Sequence, residues 1–166
     1  MKINMRTIFY LVIAVLGVFS LVAQAQQEVV ANPDHEAMLR SKDPQLEKNK
    51  RLLYDFWRVV VEGGHVELID NYVSDDYIQH NPNVASGKQA LIELFSANGR
   101  KPVPIKDRVQ SPIVAIVAEG DLISLTQVRT YPDPQDANKT YTTSGLSLFR
   151  VRDGKLVEHW DPALKQ

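Results

Sequence analysis

The sequence TYTTSGLSLFRVRDGKLVEHWD, residues 140–161, predicts two long antiparallel strands joined by a tight turn. Asp153-Gly154 stands at its centre, and Asp-Gly is a typical two-residue hairpin dipeptide because both residues tolerate positive φ. Apolar and polar residues alternate on both sides of that dipeptide. We therefore expect one strand over residues 140–152 and a returning strand over 155–161.

Two further strands are predicted before this hairpin. Residues 113–117, IVAIV, are apolar at successive positions, which is typical of a covered central strand. The turn Glu119-Gly120-Asp121 follows, and residues 122–131 alternate as the next strand. The second half of the chain is thus expected to be an antiparallel meander.

The first half of the domain has helical periodicity. Asp43-Pro44 predicts a helix start, since Asp caps free amides and Pro suits the first helical turn. An apolar stripe at helical spacing follows, and Gly63-Gly64 ends it. The stripe consists of Leu53, Phe56, Trp57 and Val60.

Three shorter elements are predicted between this helix and the meander. A second helix is expected over residues 65–73, and a short strand over 75–82 that Pro82 interrupts. Ser86 and Gln89 have the spacing of a capping box, so a third helix is expected to begin there and to end at Asn98-Gly99.

Helices followed by strands predict an α+β domain. Its helices are expected to pack on one side of a strongly curved antiparallel sheet. The concave face of such a sheet encloses one pocket, which holds either core side chains or a ligand.

The N-terminus has the pattern of a secretory signal peptide. Lys2 and Arg6 precede an apolar run over residues 8–22, which ends in Ala23-Gln24-Ala25. The run is shorter than the roughly 20 residues of a membrane-spanning helix. We expect cleavage after Ala25 and a periplasmic or secreted protein without a stable membrane anchor; a retained anchor is the alternative. Residues 26–42 are then a flexible polar tether, and residues 43–166 form the domain.

Composition excludes several functional classes. The chain contains no cysteine, so it has neither a disulfide nor a thiol nucleophile. Its formal net charge is -1 and no basic cluster follows the leader, so nucleic acid is not an expected partner. No phosphate loop or dinucleotide fingerprint occurs, and no two histidines have metal-ligand spacing. Neither a cofactor nor a metal is expected.

The last predicted strand carries the strongest candidates for acid-base chemistry. A period of two places Val157, His159 and Asp161 on one face and Leu156, Glu158 and Trp160 on the other. If the first face lines the cavity, His159 and Asp161 could relay a proton. The alternative is a solvated pair at the rim.

A second polar cluster lies on the short strand. Tyr77, Gln79 and Asn81 share one face, and Ile78 and His80 share the other. His80 is either a functional group or a hydrogen-bonded histidine on an apolar face. Aromatic residues of the helices, such as Trp57 and Tyr72, are expected in the core and can also line a pocket.

Three motifs resemble the SnoaL-like polyketide cyclase group of the NTF2-like superfamily. They are YIQHNP at 77–82, Gly87-Lys88 at a helix start, and the stretch from Phe149 through DGKLVEHWD, 153–161. The resemblance covers residues 46–161 and implies an NTF2-like, cone-shaped α+β barrel with a hydrophobic pocket. It also implies cofactor-independent aldol chemistry, in which an acidic residue removes a proton next to a carbonyl. By position, Asp161 would be the general acid/base, His80 its polar partner in the pocket, and His159 a neighbour.

The chain departs from that group on two strands. Members often carry histidines on the strand matched by residues 122–130, where this chain has Ser124, Thr126 and Gln127, and an aspartate where it has Ser147. Fewer ionisable groups are therefore expected in the pocket. Substrate contacts are expected from Tyr77, Trp57, Tyr72, Gln127 and Ser147.

Two functions follow from these expectations. One is acid-base catalysis, of aldol-condensation or isomerase type, on a small carbonyl compound. The other is non-catalytic binding or transport of a small apolar molecule. A homodimer formed through the open sheet face is compatible with both.

Overall fold

The computed structural model describes residues 27–166, so the leader predicted at the N-terminus lies outside the described residues. The α-helices are α1, His35–Leu39; α2, Pro44–Phe56; and α3, Lys88–Ser96. A π-helical turn, Trp57–Glu62, extends α2, and 3₁₀ turns span Val66–Asn71 and Ala97–Gly99. The strands are β1, Val73–Gln79; β2, Ile113–Glu119; β3, Leu122–Pro132; β4, Thr140–Arg152; and β5, Lys155–Trp160.

Helix α2 begins as its sequence predicts. Asp43 is the N-cap, and its Oδ1 accepts a hydrogen bond from the Gln45 amide at 2.8 Å. Pro44 follows in the first turn, where a missing N–H leaves no intrahelical bond unmade. The helix ends through the π-helical turn at Gly63, as predicted. Its buried stripe packs against the sheet.

The five strands form one open mixed sheet in the order β1-β5-β4-β3-β2. The meander from β2 to β5 is antiparallel, but β1 pairs with β5 in parallel. The expectation of an entirely antiparallel sheet is therefore wrong at β1. Residues 113–117 lie on the edge strand β2 rather than in the centre, and Val117 is 58% exposed. The second apolar face of this strand therefore points outward and is not covered by another layer of secondary structure.

The β4–β5 hairpin has the predicted turn and an unpredicted bulge. Asp153 and Gly154 both adopt positive φ, 52° and 73°. Arg150 pairs with Glu158 but Val151 pairs with Leu156, so Val157 is an extra residue in β5. The bulge moves Leu156 to the same side of the sheet as His159, and Leu156 is fully buried. The predicted placement of Leu156 beside Glu158 and Trp160 is therefore wrong.

Residues 27–42, predicted as part of a flexible tether, contain a packed helix. Within them α1 packs on the domain, with Leu39 only 1% exposed and His35 buried. The Asn32 amide also donates to the Ile113 carbonyl at 2.8 Å. In this mostly polar segment, Leu39 belongs to the hydrophobic core and Met38 packs against it.

Two further sequence predictions differ from the structure. The expected helix over 65–73 is a 3₁₀ turn that ends at Asn71, and Val73 already belongs to β1. The expected capping box does not form, since Ser86 Oγ accepts from the Gln79 amide and α3 is capped by Gly87. Gly87 has φ 100°, so the chain enters α3 through a conformation that favours glycine.

The hydrophobic core lies between the helices and the inner face of the sheet. From the helical layer it contains Leu39, Leu53, Tyr54, Phe56, Val59, Val60, Ile69 and Leu91. From the strands and the segment before β2 it contains Val73, Tyr77, Val109, Ile113, Ile116, Ile123, Leu125, Phe149, Val151 and Leu156. This arrangement leaves a cavity beyond the core, toward the end of the sheet where β1 and β5 finish.

Candidate active site

A cavity of about 190 Å³ lies between α2, α3 and the inner face of the sheet. Its apolar lining is Phe56, Trp57, Val61, Tyr77, Val84, Leu91, Leu94, Phe95 and Phe149. Its polar lining is Gln79, Asn81, Arg129, Ser147, His159 and Asp161. An apolar cavity of about 150 Å³ can hold benzene, so this space is suited to a molecule or molecular fragment of single-ring size.

Parallel pairing of β1 with β5 builds the polar wall. Gln79 stands opposite His159 in the strand register, and Asn81 and Asp161 come two residues later on their respective segments. Asn81 Nδ2 donates to Asp161 Oδ2 at 2.9 Å. The predicted alternation is confirmed here, since Tyr77, Gln79 and Asn81 all line the cavity.

The hydrogen bonds of Gln79 fix the tautomer of His159. Gln79 Oε1 accepts from the Asn81 amide at 2.9 Å, so this atom is the carbonyl oxygen of the side chain. The same oxygen lies 2.9 Å from His159 Nδ1, which must therefore carry the hydrogen. In the neutral ring, Nε2 is then left with the lone pair. No group among residues 27–166 bonds to Nε2.

Burial keeps His159 neutral. Its residue is 8% exposed, and its ring lies 4.4 Å from the Phe149 ring between centroids. Burial lowers the pKa of His159 below its ordinary value, because the charged form loses solvation, and the nearby Asp161 carboxylate opposes that shift. A neutral imidazole with a free Nε2 is a general base.

Asp161 follows β5 and is half-buried. Its Oδ2 accepts from Asn81, and its Oδ1 accepts from the Ala163 amide at 3.3 Å. The carboxylate also affects the pKa of Tyr77, which is 2% exposed. Burial raises the pKa of the Tyr77 phenol, and the charge of Asp161 raises it further, so Tyr77 stays protonated.

His80 lies outside the cavity. Its Nε2 is 2.8 Å from Glu158 Oε1, and its ring stacks on Trp160 with centroids 5.0 Å apart. Its side chain is 43% exposed. The expectation that His80 and Asp161 present their side chains to one space does not hold, because His80 follows Ile78 on the outer face while Asn81 takes the inward position.

The predicted substrate-contact residues fall into three places. Tyr77, Trp57 and Ser147 line the cavity. Gln127, 4% exposed, lies next to it in a groove of about 770 Å³, here called the outer groove. Tyr72 packs against Phe56 at 6.1 Å between ring centroids and is not among the described lining residues.

Trp57 lines both the cavity and the outer groove. Its Nε1 is buried without a hydrogen-bond partner among residues 27–166. Leaving a buried donor without a partner costs about 1–3 kcal/mol. A ligand whose hydrogen-bond acceptor reached Trp57 Nε1 would remove this cost.

The sequence assigns no role to three of the polar residues that line the cavity. Gln79 and Asn81 had a signal, since they share a strand face with Tyr77, but side-chain amides occur on many strands. Arg129 had none, because a basic residue near the end of an alternating strand is usually solvated. The pairing of β3 with β4 places Arg129 at the cavity, and the residues next to Arg129 in the sequence do not reveal that pairing.

No group of three or more His, Cys, Asp or Glu side chains within residues 27–166 is arranged to hold a metal ion. Across the same residues, no helix combines the length and apolar character that a bilayer crossing requires.

The architecture defines a class: an α+β domain whose helices and curved open sheet enclose a small cavity with one polar wall. Several solved structures are similar to this chain. An LEH-like epoxide hydrolase from M. tuberculosis matches with a TM-score of 0.50 at 16% identity, over 71% of this chain and 84% of that one. An NTF2-like protein of unknown function from Mesorhizobium loti matches with 0.49 at 19% identity, over 76% and 98%. A candidate polyketide cyclase from Acidithiobacillus ferrooxidans matches with 0.47 at 19% identity, over 74% and 89%.

The sequence itself gives the family. The model of the SnoaL-like domain matches residues 53–159, which extend from α2 to the penultimate residue of β5. This chain belongs to the SnoaL-like domain family. No curated protein sequence matches it significantly.

Proposed function

We propose that this domain binds a small, largely apolar carbonyl compound in the cavity and that His159 acts there as a general base. The observation that carries the proposal is the His159–Gln79 contact, which holds the hydrogen on Nδ1 and leaves Nε2 free in an apolar cavity. A base with a lowered pKa remains unprotonated at neutral pH.

Asp161 has a supporting role in this scheme. When Nε2 takes a proton from carbon, the ring becomes an imidazolium, and the Asp161 carboxylate favours that charged form. In this scheme Asp161 stabilises the protonated ring of His159 and does not transfer the proton itself. The Asn81 amide keeps the carboxylate in place.

The proposed reaction starts with removal of a proton next to a carbonyl. The C–H electron pair becomes the enolate, and the proton moves to His159 Nε2. The enolate carbon then either attacks a second carbonyl of the same molecule, as in an aldol closure, or is reprotonated elsewhere, as in an isomerisation. In both cases the proton on Nε2 returns to the product, so no cofactor is consumed.

Deuterium exchange tests the base without knowledge of the natural substrate. Acetophenone in D₂O should exchange its α-hydrogens faster with the protein than in buffer, and His159→Gln should lower that rate by about 10²-fold or more. His65→Gln is the matched control and should retain the wild-type rate, since His65 contacts Glu67 and the Val103 carbonyl and does not line the cavity. Equal exchange by the wild-type protein and His159→Gln would remove His159 as the base.

A binding role without catalysis is the second candidate. It is favoured by the inner face of β4, which presents Ser147 to the cavity rather than an ionisable group. Native mass spectrometry of protein purified from its host would then show a bound small molecule with unchanged mass after prolonged incubation. Acceleration of acetophenone exchange would count against this candidate.

We place this activity outside the cytoplasm, in the periplasm or the medium. This part of the proposal rests on the sequence of residues 1–25 alone.

A further inference from the structure

Arg129 stands where the cavity meets the outer groove. Its side chain contributes to the lining of both spaces, as do those of Trp57 and Val61. It comes from β3, two residues after the buried Gln127 on the same inner face of the sheet. A ligand that extends from the cavity into the groove would therefore lie beside Arg129.

The guanidinium of Arg129 has spare hydrogen-bonding capacity. Its one hydrogen bond is from Nη2 to Gln127 Oε1, at 3.3 Å, and no carboxylate among residues 27–166 forms an ion pair with it. Two other arginines of the groove are engaged. Arg58 pairs with Asp55 at 2.9 Å, and Arg100 donates to two main-chain carbonyls at the end of the π-helical turn.

Gly145 on β4 provides the space in which Arg129 lies. A Cβ on Gly145 would stand 2.5 Å from Arg129 Nε and 3.0 Å from its Cγ. Gly145 does not have a positive φ, so its backbone conformation does not require glycine. Glycine inside a strand is destabilising relative to alanine and often marks a close approach by another group. Here that group is the Arg129 side chain, which lies across the inner face of the sheet.

The outer groove is positively charged although the chain as a whole is not. Its lining includes Arg58, Arg100, Lys106 and Arg129 against a single carboxylate, Glu62, and the chain has a formal net charge of -1. The Glu62 carboxylate is occupied by the amides of Gln110 and Ser111, both at 2.8 Å. The groove therefore attracts anions toward Arg129.

We propose that the ligand of this site is a carboxylate whose apolar part enters the cavity and whose carboxylate binds Arg129 at the entrance. The planar guanidinium presents parallel N–H groups that match the two oxygens of one carboxylate. The aromatic lining, with Phe56, Phe95 and Phe149, accepts the apolar part. This inference rests on the proposed function, because it assumes that the cavity is the ligand site.

Benzoate and benzamide test the inference, since they share ring and size and differ in charge. The full-length domain without its leader, residues 26–166, should bind benzoate about 10-fold more tightly than benzamide in calorimetric titrations. Arg129→Gln should remove that preference and leave the affinity for benzamide unchanged. Gly145→Ala should weaken benzoate binding in the same way, because its Cβ displaces the arginine. Arg152→Gln is the control, because Arg152 pairs with Asp76 away from both spaces.

The outcomes separate this inference from the proposed function. NMR signals of the His159 ring report occupation of the cavity by either probe. If both probes shift those signals but bind equally, or if Arg129→Gln binds benzoate as the wild-type protein does, the carboxylate inference is overturned and the cavity assignment stands. If neither probe shifts them at saturating concentration, both proposals fail. Circular dichroism of each variant confirms that the fold is retained.

Discussion

His159 Nδ1 lies 2.9 Å from Gln79 Oε1, and this contact joins the two parallel strands β5 and β1 at the end of the sheet. It orients the one buried imidazole of the cavity wall and sets which ring nitrogen can accept a proton. The position of the proposed base thus depends on a strand pairing between residues that are distant in sequence.

The pKa of His159 should respond to its two charged neighbours in opposite directions. Asp161→Asn is expected to lower the pKa further, because the carboxylate favours the imidazolium. His80→Gln should raise it, because a positive His80 disfavours a second positive ring. NMR titration of the imidazole signals measures both shifts. An upward shift in Asp161→Asn would contradict the placement of the carboxylate beside the ring.

The fold should lose stability when His159 is protonated. Its pKa in the folded state lies below the value in the unfolded chain, so the unfolded chain binds more protons and stability falls with decreasing pH. The loss begins near the ordinary pKa of 6.5 and is complete below the folded-state pKa. Urea denaturation between about pH 7.5 and pH 5 should show a steeper decline for wild-type protein than for His159→Gln. Parallel curves for the two proteins would be inconsistent with a buried neutral His159.

Leu39→Ala tests whether α1 belongs to the domain. Leu39 is 1% exposed and lies in the core, so truncation should lower the free energy of unfolding by about 2–5 kcal/mol. The control is Val30→Ala, since Val30 is 73% exposed and its truncation should have little effect. Both values come from urea denaturation curves. Equal stability of the two variants would return residues 26–42 to the role of a tether.

Local signals in the sequence predicted the local structure well. The start of α2 at Asp43-Pro44 depends on a side chain and an amide two residues apart, and β4 has the predicted bounds. The turn at Asp153-Gly154 depends on the φ preferences of two adjacent residues. Such features need no knowledge of the rest of the chain.

Tertiary features were not predictable in the same way. The parallel pairing of β1 with β5 joins segments far apart in sequence, and the extra residue Val157 does not disturb the alternation visible in the sequence. Alternation did separate His80 from Gln79 and Asn81. Alternation cannot tell which of those faces turns inward. The resemblance places His80 in the pocket, whereas in the structure it lies outside, against Glu158 and Trp160.

The mature protein is expected to begin at Gln26. The apolar run over residues 8–22 is flanked by Lys2 and Arg6 on one side and by Ala23-Gln24-Ala25 on the other, the pattern that signal peptidase cleaves. Intact-mass measurement of protein from the periplasm of an expressing bacterium should give the mass of residues 26–166. Ala25→Tyr should block processing because a bulky residue replaces the small one at the cleavage site. Recovery of the full-length chain in the soluble wild-type fraction would disprove the assignment.

The outer face of the sheet predicts a homodimer. Val117 on β2 and Leu146 on β4 lie on this face and are 58% and 49% exposed, and Trp160 on β5 adds a half-buried ring. Pairing two such faces about a two-fold axis would remove apolar surface from water on both copies. Light scattering should give twice the chain mass for the wild-type protein, and Leu146→Asp should give a folded monomer, because a charge buried in the interface is costly. Lys139→Asp is the control, since Lys139 lies in the β3–β4 loop and bonds Asp136. A wild-type monomer at about 100 μM would show that this face remains open to solvent, and its apolar side chains would then need a different partner.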